Sequence, residues 1–540
     1  MLGDLIDVLP RWATDVLLVG CAIVGWRVWM FTVKPWLRPD EPRDLPYWIP
    51  FLGHTVSFFQ NYVQLVEDGF NFTGRKREPF SIQLLGKKLY ICSDPRDVSI
   101  IFDNIIAFGF DEHLTNLLTS FGISKPALKR AWHVPKPGDW CYITDNPVNP
   151  KQKSLIHAVE DICTQQLLPG DRMDVWADAF LGSVKSSLGG TGDLDFCTTD
   201  GDGCMWGRRQ ASLYKLVSFF SVQATCQAMF GSHLFDIDDH VVEHMLEFNE
   251  HVWMKVFQCP SFWGAQPVKA PHAKLMAITR RFVNLPEERR MGASWAITNV
   301  LRGMEIVGMD MESRAAMVLM IFWAAVSNEH NSCFWVLAHL FHDESLLDLV
   351  KKETEAAWRV NPDDASGEPQ LDIKYLCANS PNLNSIFNEV LRLNNTAAAV
   401  RVATEKTTLS GGKTIPQGGM LVIPFRQLHT NEAVWGDDVG RFNPERFIGP
   451  GAGGGANTKD RSSSFRPFGG GATYCPGRTL AKHEVFGFTA ILLRRFDISL
   501  ARGAAKVKQR MPQLNSMTPS FGLNGPIQGQ DVIVDIADRL

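Results

Sequence analysis

Residues 311–342 read MESRAAMVLMIFWAAVSNEHNSCFWVLAHLFH, and their apolar side chains occupy nearly every face of a helical wheel. A water-soluble fold can hold such a helix only by surrounding it, so the rest of the chain must form a shell thick enough to bury it. The material is there: 540 residues, 45% hydrophobic and 21% charged, is a globular composition and excludes disorder as the main state. Inside the apolar stretch sits a polar island, Ser327, Asn328, Glu329, His330 and Asn331. Polar groups on a central helix cost free energy unless they are paired, so the island either faces a wet cavity or is placed for chemistry.

The shell reads as helical over most of its length. Apolar residues at spacings of three and four predict helices over 151–168, 171–188, 210–230 and 241–257. Residues 80–92, FSIQLLGKKLYIC, predict a β-hairpin turning at Gly86-Lys87, and Asp94-Pro95 behind it supplies an N-cap and a first-turn proline for a helix. After residue 395 short strands follow at 400–404 and 420–425, then a helix at 480–495. The expected class is mainly α with small β-sheets. Residues 189–207 read as a surface loop in which Cys197 and Cys204 are incidental. The glycine run at 449–455 reads as an insertion and not a phosphate loop, since no strand precedes it.

Residues 16–33, VLLVGCAIVGWRVWMFTV, reach the length of a minimal bilayer-spanning helix, about 17 residues or more. The one charge, Arg27, is near enough to the end to extend its stem to the headgroups, and Trp12, Trp26, Trp29 and Trp36 are interfacial aromatics. Asp4 and Asp7 precede the segment and no A-x-A cleavage site follows it, which favours a retained anchor over a signal peptide. Lys34, Arg38 and Arg43 follow, so the positive-inside rule places the bulk of the chain in the cytosol. Pro35, Pro39, Pro42, Pro46 and Pro50 then predict an extended, stiff connector. Membrane lipid is therefore an expected partner. Nucleic acid is not, because a net charge of -4 leaves no basic footprint. Eleven cysteines without a C-x-x-C pair argue against zinc and against a disulfide framework.

One cysteine has a context of its own. Residues 468–477, FGGGATYCPG, place Cys475 in a glycine-rich loop just ahead of a helix. Glycines let the backbone approach a flat ligand, and nearby amide N–H groups with a helix N-terminus favour a thiolate. A buried thiol beside a turn is the plainer alternative.

The loop resembles the haem loop of the cytochrome P450 family, F-x-x-G-x-x-x-C-x-G, matched at Phe468, Gly471, Cys475 and Gly477. Glu389 and Arg392 match the family's E-x-x-R, and residues 442–447, FNPERF, match its P-E-R-F element through Arg446. The resemblance implies the cytochrome P450 fold behind one transmembrane helix. It divides the chain into an anchor at 1–34, a hinge at 35–50 and a haem-thiolate catalytic domain at 51–540. It implies haem b as cofactor, with Cys475 as thiolate ligand of the iron. Glu389, Arg392 and Arg446 become a structural ion-paired triad, since two guanidiniums can satisfy one carboxylate. Arg401 becomes a partner of a haem propionate.

Two departures bear on the propionates. Thr473 stands where the family usually has a basic residue, and no W-x-x-x-R occurs at 151–168, which leaves Lys151 and Lys153 as candidates. A third lies on the central helix, where the family's A/G-G-x-D/E-T is replaced by Ala324, Ala325, Val326, Ser327 and Asn328. Asn328 followed by Phe334-Trp335 looks like the branch that includes prostacyclin synthase and the sterol 7α- and 12α-hydroxylases. The implied function is a monooxygenase that hydroxylates an apolar lipid-, sterol- or terpenoid-like molecule, with dioxygen and with electrons from NADPH-cytochrome P450 reductase. Asn328 and Ser327 then stand in the proton relay. A redox-partner-independent isomerase, lyase or dehydratase is the alternative, and a haem carrier or sensor a third. The resemblance further implies a single-pass protein of the endoplasmic reticulum membrane. It places residues 104–124, 241–260 and 515–525 around the substrate.

Overall fold

A computed structural model describes residues 11–189, 209–257, 259, 266–360, 367–448, 458–501, 509–517 and 519–539. The expected loop at 189–207, apart from Gly189, lies outside the described residues, as do the glycine run at 449–455 and Asp4 and Asp7. The architecture is mainly helical, 57% helix and 12% strand.

The central apolar stretch is buried as expected but is not one helix. It forms Met311–Val326 and Glu329–His342, parted at Ser327 and Asn328, where Asn328 leaves helical geometry with φ −122°. The first segment packs on Lys269–Val283, and the second is enclosed by Leu213–Phe230, Pro381–Asn394 and Arg478–Arg495. Side-chain capping sets the helix starts around them. Asp310, Ser154 and Ser294 each accept a backbone N–H from the first turn. For this reason the helix expected from residue 151 begins at Leu155. The helix expected from 210 begins at Leu213, because Arg209–Ser212 pair antiparallel with Ile533–Asp538 and Ser212 then caps the helix.

The hairpin forms between Phe80–Leu84 and Lys87–Ile91, and its turn residues Leu85 and Gly86 have φ 45° and 81°, the mirror-image turn that suits strand twist. It joins a six-stranded sheet in the order 43–44, 80–84, 87–91, 420–424, 398–403, 108–109. Met420–Pro424 runs parallel to Lys87–Ile91 and antiparallel to Ala398–Ala403, with Leu421 opposite Arg401. This register carries Arg401 to the cavity described below.

At the N-terminus Thr14–Leu37 is 24 residues of helix whose most apolar 18-residue window has mean hydropathy 1.9 and no buried residue, long and apolar enough to cross a membrane. It passes through a π-helical turn at Trp29–Val33 and ends at Lys34–Leu37, with Pro35 in the first turn of that last piece, where a proline is tolerated. The connector therefore differs from the extended, stiff segment expected at 35–50. Its first residues are helical, Arg43–Asp44 pair parallel with Phe80–Ser81, and Lys34 and Lys88 flank Asp44. Arg27 does not simply reach outward. It donates to the Tyr47 carbonyl and lies 3.8 Å over the Trp48 ring.

Candidate active site

Cys475 opens into an apolar cavity of about 500 Å³ between the central helix pair and the glycine loop. The loop is shaped by close approach. Gly469 and Gly471 have φ 79° and 64°, and a Cβ on Gly471 would meet the Phe102 carbonyl oxygen at 2.2 Å. The Cys475 N–H donates to Phe468 O at 3.0 Å, which closes the loop, and Gly477 then starts Arg478–Arg495. Burial raises the Cys475 thiol above its ordinary pKa, opposed by the Gly477 N–H and the Arg478 charge. A bound metal cation reverses that balance and holds the sulfur as thiolate. Cys163 shares the cavity wall, but it sits mid-helix without such a loop, and burial pushes its thiol up to about 12.

Arg401 is buried on the same wall between the rings of Phe102 and Phe110, at 5.1 and 5.2 Å. It donates to Val400 O at 2.8 Å and to Thr473 Oγ1. Thr473, in place of the usual basic residue, thus tethers the guanidinium. Burial lowers Arg401 to about 10, and among the described residues no carboxylate pairs with it. An unpaired buried guanidinium facing an apolar cavity fits an anionic ligand with a flat apolar body. His113, which sequence reasoning did not single out, also lines the wall and is lowered to about 4 by burial and by Arg401, so it is a neutral imidazole with one N–H to give. Lys151 and Lys153 do not line the cavity, and Lys153 pairs with Asp161 at 2.6 Å.

Glu389, Arg392 and Arg446 meet beneath this wall. Arg392 grips Glu389 bidentately, both bonds 2.7 Å, and Arg446 Nε stands 3.5 Å from the same carboxylate, which also accepts the Asn443 N–H at 3.0 Å. Arg392 donates onward to His429 O at 2.8 Å, and His429 accepts the Arg466 N–H two residues before Phe468. The ion pairs are therefore linked to the base of the glycine loop through one histidine.

The sequence model of the family described as Cytochrome P450 matches residues 207–523. The chain belongs to the cytochrome P450 family. It is 26% identical over 479 residues to "Cytochrome P450 monooxygenase poxD" of Penicillium oxalicum, covering 87% of this chain and 90% of that protein. It is 24% identical over 524 residues to "Cytochrome P450 monooxygenase efuG" of Hormonema carpetanum, covering 89% and 87%. A shorter match, 38% over 202 residues and 37% and 35% of the two chains, is to "Cytochrome P450 734A5" of Oryza sativa subsp. japonica. This P450 is accordingly an oxidoreductase, a haem-thiolate monooxygenase whose cofactor is haem with a cysteine thiolate ligand. These relatives do not support the narrower likeness to the prostacyclin synthase and sterol 7α- and 12α-hydroxylase branch, for which Asn328 and Phe334-Trp335 are too short a signature.

The polar island of the P450 does two things that its sequence did not reveal. First, it docks another segment. Asn328 Oδ1 accepts the Leu523 N–H at 2.9 Å, Asn331 Nδ2 donates to Leu523 O at 2.9 Å, and Trp335 Nε1 donates to Asn524 O at 2.8 Å. Spacings of three and four put these residues on one helix face. Asn328 Nδ2 donates to Ser327 Oγ at 2.9 Å, so its amide bonds forward to a distant loop and to its neighbour, not to the backbone one turn back. Second, the island divides two spaces. Asn328, Phe521, Gly522 and Leu523 line both the Cys475 cavity and a second cleft of about 680 Å³, whereas Ser327 lines only the cleft. Of the segments expected around the substrate, 104–124 contributes Phe110 and His113 to the cavity and 515–525 contributes Phe521, Gly522 and Leu523. The helix Val241–Val256 lines the cleft instead.

Proposed function

We propose that this P450 oxidises an apolar small molecule, lipid-, sterol- or terpenoid-like, with dioxygen and electrons from NADPH-cytochrome P450 reductase. The observation that carries this is the meeting, in one apolar cavity, of the loop-held Cys475 sulfur and the buried, unpaired Arg401 guanidinium. In this reading Cys475 ligates the iron, while Arg401, helped by His113, receives a propionate. Phe468, Gly471 and Gly477 shape the loop so that a macrocycle can lie against it. Glu389, Arg392 and Arg446 hold the loop from below. Haem supplies the oxygen-activating chemistry when bound. Phe110, Ile321, Ala324 and Phe521 offer the substrate apolar contact and exclude water, the usual character of a small-molecule pocket. Asn328 positions a proton donor at the cavity wall, with Ser327 holding its amide from behind.

The anchor at 1–34 and the hinge at 35–50 are read as tethering the catalytic domain, 51–540, to the cytosolic face of the endoplasmic reticulum by a single span. The apolar, unburied helix at Thr14–Leu37 supports this. Turnover of a panel of such substrates, with and without the reductase, tests the function. Oxygenated product that requires both reductase and NADPH is expected. Product formed without either contradicts the proposal and points to an isomerase, lyase or dehydratase.

A further inference from the structure

The helix break leaves one histidine with half of its bonding used. The first segment ends at Val326, so the Val326 carbonyl is among the C-terminal acceptors that a helix cannot satisfy by itself. His330, one turn on, satisfies it from the side chain, with Nδ1 2.9 Å from Val326 O. A carbonyl only accepts, so Nδ1 carries the ring proton, and burial keeps the imidazole neutral by lowering it to about 4. Nε2 is thereby fixed as an acceptor. His330 is 2% exposed, and its Nε2 has no hydrogen-bond partner among the described residues. The donors around it are engaged elsewhere: Tyr214 O–H on Asn331 Oδ1 at 3.1 Å, Asn331 Nδ2 on Leu523 O, and Trp323 Nε1 on Asn249 Oδ1 at 2.9 Å.

This acceptor lines the second cleft, which neither Cys475 nor Arg401 borders. Leu246, Trp253, Trp323 and Phe521 give the cleft apolar walls, and about 680 Å³ is within the ordinary range of small-molecule pockets. Its charged lining residues do not compete for a neutral guest. Lys215, Glu247 and Glu250 are exposed, and Asp531 is bonded to the Ser212 hydroxyl and the Tyr214 N–H. A buried acceptor on an apolar wall favours a molecule that brings one donor on an apolar body, since burying that body unpaired with the acceptor would leave the nitrogen unsatisfied.

We propose that the cleft is a second small-molecule site, distinct from the Cys475 cavity, which holds a neutral apolar molecule through a hydroxyl that donates to His330 Nε2. Two sources supply this chemistry: a substrate that already carries a hydroxyl, and the alcohol that hydroxylation forms. The choice between them rests on the monooxygenase reading, and the site itself does not.

The test uses full-length holoenzyme with phenylimidazole held on the iron, so that the Cys475 cavity is occupied. Equilibrium dialysis then measures binding of dodecanol, borneol and androstanol, each against the hydrocarbon that lacks its hydroxyl, dodecane, bornane and androstane. At least one alcohol should bind saturably, about 5- to 10-fold more tightly than its hydrocarbon, the size of one neutral hydrogen bond. His330→Phe should make that pair equal, and Leu246→Trp, which fills the cleft from another helix, should weaken both members. Equal affinities throughout the wild-type panel would leave the nitrogen to water and overturn the site, as would a preference for the alcohol that survives in His330→Phe. Where His330→Phe does not load haem, Leu246→Trp decides, and alcohol binding that it leaves unchanged overturns the proposal. Without phenylimidazole, and with reductase and NADPH, consumption of the bound alcohol identifies a substrate, and its formation from the hydrocarbon identifies a product. Turnover of either member without reductase contradicts the monooxygenase reading, and the dialysis result still decides whether the site exists.

Discussion

Gly522 is where the loop and the central helix pair touch most closely. A Cβ there would lie 1.5 Å from Asn328 Oδ1 and 2.2 Å from its Cγ, far inside van der Waals contact. Gly522→Ala must therefore turn Asn328 away or push the loop back. The first response breaks the Asn328 bonds to Leu523 N–H and Ser327 Oγ; the second breaks Asn331 to Leu523 O and Thr396 N–H to Gly522 O. Either way two neutral hydrogen bonds are lost at about 1 kcal/mol each, and leaving a buried donor unsatisfied adds about 1 kcal/mol or more, so the expected cost is about 2–4 kcal/mol. For a chain of this size the unfolding entropy is on the order of 1 kcal/mol per degree, so the midpoint of thermal haem loss should fall by about 2–4 °C at a fixed heating rate. In the Asn328→Ala background the obstructing atoms are gone, and adding Gly522→Ala should cost under about 0.5 kcal/mol. The cycle reads the contact and not the two residues separately. A neutral Gly522→Ala, or equal costs in both backgrounds, would refute the docking of the loop by Asn328.

Other outcomes follow from the same geometry. Glu389→Ala strips the fully buried Arg392 of its carboxylate and leaves Arg446 only its Asp438 partner, at a cost of about 3–5 kcal/mol, and should cut the yield of haem-loaded protein in expression trials. Arg401→Leu should fold and yet release haem faster in a transfer assay to apomyoglobin. Removing residues 1–37 should move the chain from the membrane pellet toward the soluble fraction with its haem retained, as judged by fractionation and absorbance. Buried Glu329 also sets a pH dependence. Burial raises the Glu329 carboxyl from its ordinary value of 4.5 to about 7, so between those values the native state binds more protons. Its contribution to stability therefore falls as pH rises through that window, and denaturant midpoints of Glu329→Gln should show a shallower fall than wild type there.

The elements with local signals were legible from the residues alone. Asp94-Pro95, the hairpin around Gly86 and the central apolar stretch each carry their instruction within a few residues, and Phe468 to Gly477 carries a motif as well as a turn. What stayed hidden depends on partners far along the chain. Nothing near Asn328 announces Gly522, almost two hundred residues away, and nothing at Arg209 announces a strand partner at Ile536. The helix break illustrates the difference. The polar island marked the place, but continuous apolar periodicity on both sides concealed the interruption, because Asn328 takes its bonds from outside the helix. Glu484 was invisible for the opposite reason: a lone acid in AKHEVFGF reads as a solvent-facing residue until packing buries it against Trp176. His113 and Thr473 could be assigned only once the sheet register had delivered Arg401.

The most direct measurement on the central claim is the carbon monoxide difference spectrum of the reduced enzyme, recorded for wild type and for Cys475→Ala. Wild type should show the red-shifted Soret band of a thiolate-ligated haem. Cys475→Ala should lose it, either by failing to bind haem or by binding it through another ligand. A thiolate-type band that persists in Cys475→Ala would contradict the assignment of the iron ligand and with it the reading of the cavity.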